Sequence, residues 1–578
     1  MPQSVAARAT ENFSISTRVI AGRFADQNLD KLRGGYYTPA QLAQWLAAWS
    51  VQKRADRILE PSCGDGSFLN AATTRLIELG AGSHEIVKQL VGIEIVPTEA
   101  EKARARMRQT LGLAGNRIVA NSDFFTWALL NKSEQFDCVL GNPPFIRYQA
   151  FPEPSRILAM TRMVEEGLKA NRLTNIWVPF VVAATTMLRR GGRMGLVLPA
   201  ELLQVTYAAQ LRSYLISQFS RIDVIACNEL FFDNAEQEVV LLLADGRLQK
   251  PDKHGKCRVA LTEAAKVEVI TAQRPIDLLA KSSPKVVEHS DEKWLKYFLS
   301  AKEIALMREV RLGGIAVPLK THGSIDVGVV TGKNEFFVLT QDEVKAWDLS
   351  KFVVPLVSRA VQMKGAALNQ KEWEGLAARG DRVFLLNLTG SESAKLPAKV
   401  KRYIAQGVDQ GFHTGFKCSN REPWYSVPSI WIPDAFFFRQ IYDFPRVVLN
   451  GASATSTDTI HRMRAADPKK LIRHIYTHLT AASAEIEGRS YGGGVLELEP
   501  TEAEKMLVPA KLQGGLPLSE IDKLIRVGKL QDVLLENDRL VLLASGLSKS
   551  DCVMFREIWI KMRDRRLARR RHSARSIK

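Results

Sequence analysis

Between Tyr36 and about Gly246 the apolar positions fall into short runs separated by longer stretches of helical period. The short runs predict strands at Arg57–Glu60, Leu90–Glu94, Asn116–Ala120, Phe136–Gly141, Met194–Pro199, Ile222–Asn228 and Glu238–Ala244. The longer stretches predict helices at Pro39–Ser50, Gly66–Leu79, Thr98–Leu111, around Asn175–Arg190 and at Thr206–Ser217. Thr38-Pro39 suits a helix start, because the hydroxyl can cap the helix and proline fits its first turn. Strands alternating with helices imply an α/β fold, a mostly parallel sheet of seven strands covered on both faces.

After Gly246 the texture changes. Arg247–Pro284 is polar and is broken by Pro251 and Pro275, so a domain junction is expected near 246. Beyond about 310 the apolar runs are short and turn-separated, as at Ile325–Val330, Glu335–Leu339, Val383–Leu386 and Arg446–Leu449. Helical stretches follow at Pro468–Glu487 and Leu518–Ser545. This is an α+β pattern without βαβ rhythm. The expected organisation is a lead-in at 1–30, a first domain at 31–246, a junction at 247–315, a second domain at 316–560 and a tail at 561–578.

Composition narrows the class. The 578 residues predict two to four domains, and 46% apolar with 25% charged residues is an ordinary globular balance. That excludes a wholly disordered chain, a collagen-like chain and a disulfide miniprotein. The longest apolar runs, Trp177–Leu188 and Val239–Ala244, fall short of the roughly 20 residues of a bilayer span. The polar N-terminus, with Arg8, Glu11 and Arg18, has no signal-peptide core, so the cytoplasm is expected. The six cysteines lie at least 30 residues apart and form no zinc-ligand spacing.

Net charge is +18. Residues 1–250 hold 28 basic and 24 acidic residues, which leaves +14 to 251–578. Lys561–Lys578 alone holds nine basic residues and one acidic. Such a chain suits a polyanionic partner, since each cation placed on a phosphate releases a counterion; it is equally consistent with solubility alone. The tail reads as a solvated basic arm.

Four strand ends carry candidate chemistry. Ile58-Leu59-Glu60-Pro61-Ser62-Cys63-Gly64-Asp65-Gly66 is a strand ending in an acid, followed by a Gly-x-Gly turn into a helix. Such a turn admits a ligand close to the backbone at a carboxyl-end crevice, though it also serves plain packing. Glu94 closes the next strand, 28 residues after Gly66, where an acid binds ribose hydroxyls or simply ends a strand. Asp123-Phe124 can bracket an adenine ring, or be an Asx turn before a core aromatic. Asn142-Pro143-Pro144-Phe145 follows the fourth strand. A conjugated amine is a poor nucleophile because its lone pair is delocalised. Two acceptors, the Asn142 side-chain oxygen and the Pro143 carbonyl, draw that pair back onto nitrogen. Pro144 fixes the backbone and removes a donor, and Phe145 offers a stacking face. Behind three strand-end acids this run points to methylation of such a nitrogen rather than to a rigid turn.

These residues resemble the S-adenosylmethionine-dependent methyltransferases that act on adenine N6 in DNA, in the gamma order of parts (Taq-like and Eco57I-like). Gly35-Tyr36-Tyr37-Thr38-Pro39 is similar to the family's opening cofactor segment, and Glu60 to Gly66, with Ser62 and Gly64, to its methionine-binding loop. Glu94, with Ile95, resembles its ribose acid, Asp123-Phe124 its adenine clamp and Asn142-Pro143-Pro144-Phe145 its signature, with Phe where many members have Tyr. Glu229-Leu230-Phe231 resembles the segment whose aromatic stacks on the extruded base, with Phe232 adjacent. The second half resembles the Taq-like recognition region at Gly328–Asn334, Pro355–Arg359, Arg421–Tyr425, Asn450, Thr457–His461 and Gly488–Gly494.

The resemblance implies a Rossmann-like class I methyltransferase sheet followed by an α+β target-recognition domain. It implies S-adenosyl-L-methionine as cofactor, no catalytic metal, and double-stranded DNA as partner. A separately encoded cognate restriction endonuclease and a monomeric, nucleoid-associated enzyme are also implied. Lys333, Arg359, Lys417, Arg421, Trp424 and Arg489 are the expected DNA contacts, against the plainer reading of a solvated face with core aromatics. Cys63 is expected to pack rather than react. Two rivals share the motif: an RNA or protein-glutamine N-methyltransferase, and a DNA-binding protein with an inactive methylase core. A fused nuclease is disfavoured, since Pro251-Asp252 and Pro433-Asp434 lack a downstream Glu-x-Lys.

Overall fold

The computed structural model describes residues 38–573, apart from 172–173, 228–237, 253–256, 287–292, 392 and 492–493. The first described helix, α1 (Ala40–Ser50), buries Leu42, Leu46 and Trp49 along one stripe. Its first carbonyl is that of Pro39, which accepts from Leu42 and Ala43. Thr38 therefore lies one residue too early to cap it, contrary to expectation.

The first domain is one nine-stranded sheet. Its strands are β1 (Ile58–Glu60), β2 (Leu90–Glu94), β3 (Val119–Asn121), β4 (Phe136–Gly141), β5 (Leu188–Pro199), β6 (Phe219–Cys227), β7 (Val239–Arg247), β8 (Arg258–Ala264) and β9 (Lys285–Val286). Their order is β3-β2-β1-β4-β5-β7-β6-β8-β9. Pairing is parallel from β3 to β5, and β7 lies antiparallel between β5 and β6. Successive residues of one strand enter opposite cores: Ile58, Cys138 and Leu140 pack on one face, Leu59 and Val139 on the other. With both faces covered, strands such as β7 read as unbroken apolar runs. The chain steps outward from β1 to β3, then returns to place β4 on the other side of β1. The carboxyl ends of β1 and β4 thus flank the switch point where α/β folds bind ligands.

Helices α2 (Ser67–Glu78), α3 (Phe124–Leu130) and α4 (Trp177–Thr186) cover the sheet. The helix expected to run on to Arg190 stops at Thr186, and β5 starts at Leu188. The expected boundary at 246 also moves. β8 pairs in parallel with β6 over seven residues, so the sheet reaches Val286 and has nine strands, not seven. β8 escaped notice because it sits near the sheet edge, where its mixed burial leaves no apolar run.

Among the described residues the second domain combines sheets of five, four, three and two strands with helices. Val329, Phe336, Phe337, Leu356, Leu385 and Tyr425 form a separate core there. The apolar run at Glu335–Leu339 is a helical turn, Asn334–Phe337, followed by the short strand Val338–Leu339. The stretch read as one helix at Pro468–Glu487 is two, Pro468–Ile475 and α5 (His478–Glu487). Most of the expected solvated arm, residues 561–573, is the second half of a 25-residue helix, α6 (Lys549–Ser573), packed along α5. Phe555, Ile558, Trp559, Met562 and Arg566 are its buried positions, at helical spacing. Among the described residues no helix is long and apolar enough to cross a membrane.

Candidate active site

The turn after β1 gives its two glycines different work. Gly66 has φ +83°, and a Cβ there would lie 3.1 Å from Ala103, so it serves close helix packing. Gly64, at φ +51°, faces open space: a Cβ at this position would meet nothing within 4 Å, which leaves its backbone open to a ligand. Glu60 turns inward: it is 2% exposed and accepts from the Leu69 amide of α2 at 2.9 Å. Burial pushes its carboxyl well above the usual range. Glu60 therefore ties strand to helix rather than facing the crevice. Cys63 packs against Gly92, and burial, reinforced by Glu60 and Glu94, pushes its thiol up, which makes it inert as a nucleophile.

Glu94 is the hinge of the site. One carboxylate oxygen accepts from Gly64 N at 2.9 Å and the other from Val96 N at 2.8 Å. Burial raises its pKa, and those amides oppose the shift. A carboxylate has about four acceptor positions, so two amide bonds leave capacity for hydroxyl donors. Ile95 beside it is 44% exposed and presents an apolar face. The Glu94 carbonyl accepts from Ser122 N at 3.0 Å and Asn121 Nδ2 at 2.8 Å, which joins the ends of β2 and β3. Asp123 uses one oxygen to cap α3 through the Thr126 amide and hydroxyl, both at 2.9 Å. Phe124 is buried and stacks on Phe180 at 5.2 Å. For these two residues the Asx cap and core aromatic are what the structure contains.

Asn142 leaves the end of β4 half-buried, and its backbone carbonyl accepts from Ser62 Oγ at 3.2 Å. Pro143 is buried. Phe145 is partly buried and touches the cores on both faces of the sheet. The far end of the motif is held by Ile176 N donating to Ile146 O at 2.9 Å, just before α4. Hydrogen bonds thus link Asn142 to Ser62, Gly64 to Glu94 and Glu94 to Ser122, and the chain from Ser62 to Gly64 joins them into one arc. The Thr38 hydroxyl is buried without a partner among the described residues. Tyr37 and the Glu229-Leu230-Phe231 run, with Phe232, lie outside the described residues.

The expected DNA contacts divide. Arg421 is committed to the carbonyls of Thr331 at 2.6 Å and Val330 at 2.7 Å. Trp424 packs on Phe336 at 4.8 Å in the domain core. Arg489 pairs with the buried Glu502 at 2.7 Å. Each of these three thus has a partner within the fold: two backbone carbonyls for Arg421, the Phe336 ring for Trp424 and the buried Glu502 for Arg489. Lys333 is partly exposed, pairs with Glu335 at 3.2 Å and lies 4.8 Å from the Phe412 ring. Arg359 and Lys417 are exposed, with Lys417 5.8 Å from the 78% exposed Phe416. Val361, in the short helical turn Ala360–Gln362 that follows Arg359, is exposed as well.

Strand order 3-2-1-4-5-7-6 and an Asn-Pro-Pro-Phe run at the end of β4 are the architecture of a methyltransferase of the Rossmann-like class. Residues 19–305 match the model of the N-6 DNA Methylase family, and residues 291–542 match the C-terminal domain of Type II methyltransferase M.Eco57I. The chain belongs to this family of Type II DNA methyltransferases. It is 23% identical over 487 residues to Type II methyltransferase M.AccI of Acinetobacter calcoaceticus, covering 81% of this chain and 84% of the relative. It is 22% identical over 486 residues to Type II methyltransferase M.XamI of Xanthomonas campestris pv. amaranthicola, covering 82% and 85%. In fold it is similar to the Type IIL restriction-modification enzyme MmeI, solved in complex with DNA, with TM-score 0.52, 14% identity and coverage of 90% of this chain and 75% of that one. The meeting point of the two family models, near 291–305, agrees with a first domain extending beyond 246.

Proposed function

We propose that this DNA methyltransferase is adenine-specific, placing a methyl group on N6 of an adenine extruded from duplex DNA, with S-adenosylmethionine as donor. The observation that carries the reading is the arc joining Asn142 to Ser62, Gly64 and Glu94. It sets an amine-binding motif beside a crevice suited to a nucleoside. The residues fit the cofactor: Gly64 leaves room at the turn, Glu94 has acceptor capacity for ribose hydroxyls, and Ile95 offers a face to adenine. When bound, the cofactor supplies an electrophilic methyl group.

The chain's own residues prepare the nucleophile. The Asn142 side-chain oxygen and the Pro143 carbonyl accept the two amino hydrogens and localise the lone pair on nitrogen. Phe145 stacks on the purine, and Phe231 is the second aromatic of the sandwich. N6 is unreachable inside the duplex, so the base must leave the stack. Alignment rather than a strong base supplies the rate. Lys333, Arg359 and Lys417 hold the DNA backbone. In this reading the enzyme works as a monomer in the cytoplasm. It protects sites against a separately encoded endonuclease or serves a related defence system.

Transfer of labelled methyl to duplex DNA, RNA and protein tests this directly. The expected outcome is label in duplex DNA alone, on adenine N6, at one sequence motif seen by single-molecule sequencing. Label in RNA or in protein glutamine overturns it.

A further inference from the structure

The second domain is fastened to the first at the carboxyl edge of the sheet, the edge that carries Glu94 and Asn142. β5 ends at Pro199, and Gln204 follows in the short helix Glu201–Gln204. Gln204 is buried, donates to Ser490 O at 2.8 Å and accepts from Ser490 N at 2.8 Å. One side-chain amide thus pairs with the second domain's backbone as a neighbouring strand would. β8 supplies the second fastening. Its penultimate residue, Glu263, stands in register with Ala226 of β6 and pairs with Arg565 of α6 at 2.7 Å. The Arg565 guanidinium also lies 3.6 Å from the Phe298 ring centre and is 8% exposed. β6 ends one residue later at Cys227, where the run containing Phe231 begins.

The rest of the same turn of α6 grips elsewhere. Lys561 pairs with Glu303 at 3.0 Å, and Arg563 with Asp443 at 3.0 Å. Arg566 is 2% exposed and holds the buried Glu485 through two bonds, at 3.0 and 2.5 Å, and the Tyr442 carbonyl at 3.0 Å. Four cations within six residues therefore meet four carboxylates drawn from β8, the helix Ala301–Leu312, the loop after Ile441 and α5. A run made to hold phosphates would leave its cations exposed. Here they are paired with partners from both domains.

We propose that Arg565 is a positioning residue: with Glu263 it latches the second domain to the reactive edge of the sheet and sets the angle of the cleft that receives DNA. This rests on the DNA-modifying role argued above. The latch holds residue 263 beside the carboxyl end of β6, so loosening it shifts the second domain against this edge of the sheet. Cofactor binding, made by β1 and β2 on the far side of β4, is untouched.

The test uses the full chain with Arg565→Glu, Glu263→Arg and the double charge swap. The measurements are kcat and KM for a duplex carrying the methylated motif, cofactor Kd, and the radius of gyration by small-angle scattering. Each single change is expected to raise duplex KM about tenfold, keep cofactor Kd within about twofold, and enlarge the radius of gyration; the swap restores both. Single variants with wild-type KM and scattering overturn the proposal. So does a double variant no better than the worse single, the result expected of a direct phosphate contact. If a reversed chain does not fold, Arg565→Gln, which drops the charge but keeps a planar head over Phe298, carries the same comparison. A wild-type chain that methylates no DNA refutes the functional reading alone, since scattering still tests the latch.

Discussion

The Ser62 hydroxyl donates to the Asn142 carbonyl across 3.2 Å, linking the turn after β1 to the motif after β4. The turn proposed to face the cofactor and the motif proposed to hold the amine are thereby tied together. Methyl transfer needs its partners aligned to a fraction of an ångström, so this bond bears on rate more than on affinity. Ser62→Ala is expected to lower the single-turnover rate about threefold to tenfold, the worth of one hydrogen bond. Cofactor Kd should hold. A rate equal to wild type would show that Asn142 is placed by its own strand alone.

In the proposed mechanism Asn142→Ala removes one of two preorganised acceptors. Loss of such a group costs about 100- to 1,000-fold in kcat. Rapid-quench methylation reads the rate and equilibrium dialysis the cofactor affinity, which is expected to stay within about twofold. An active variant would remove Asn142 from the mechanism.

Glu60 gives a pH signature. Its folded pKa is raised by burial, so the folded chain holds this proton more tightly than the unfolded chain. The stabilisation is complete below the ordinary carboxylate pKa and is lost as pH rises through the folded value. Glu60→Gln does not titrate. The Tm difference between variant and wild type should therefore move in the variant's favour as pH rises from about 5 to 8. A pH-independent difference would contradict the burial argument.

DNA contacts and fold-holding cations should separate by salt. Lys417→Ala and Arg359→Ala should each reduce the slope of log K against log salt by about 0.9 and leave Tm unchanged. Arg421→Ala strips donors from the Val330 and Thr331 carbonyls and is expected to lower Tm. Fluorescence anisotropy at several salt concentrations, beside thermal melts, sorts the three.

Arg566→Ala leaves Glu485 charged and buried, and burial already raises the Glu485 pKa. Breaking one half of a buried pair costs about 3–5 kcal/mol. Urea unfolding should show that loss almost unchanged in high salt, because buried pairs are little screened. A loss under about 1 kcal/mol would mean the pair is solvated in the folded chain.

Legibility followed the kind of signal each element carried. β2 and β4 appear with the bounds their apolar runs predict, because strands buried on both faces are apolar at most positions. Helices Glu153–Glu165 and Phe124–Leu130 were not anticipated; one has a broken apolar stripe and the other is too short for a period to show. Phe124 and Asp123 carry both of their possible readings in identical letters, and the letters do not show that Asp123 caps through Thr126 or that Phe124 stacks on Phe180.

The order of strand-end motifs, from the Gly64 turn to Asn142, was determined by the chain's letters alone, since each is a local signal of strand, turn and special backbone. What tertiary structure decided is which charges are spent. Arg421, Arg489, Arg565 and Arg566 look like any other cations in a basic chain, yet their partners lie 13 to 302 residues away, at Glu502 for Arg489 and at Glu263 for Arg565. A salt bridge depends on distance in space and on exclusion of water, and neither is written in the spacing of residues along the chain.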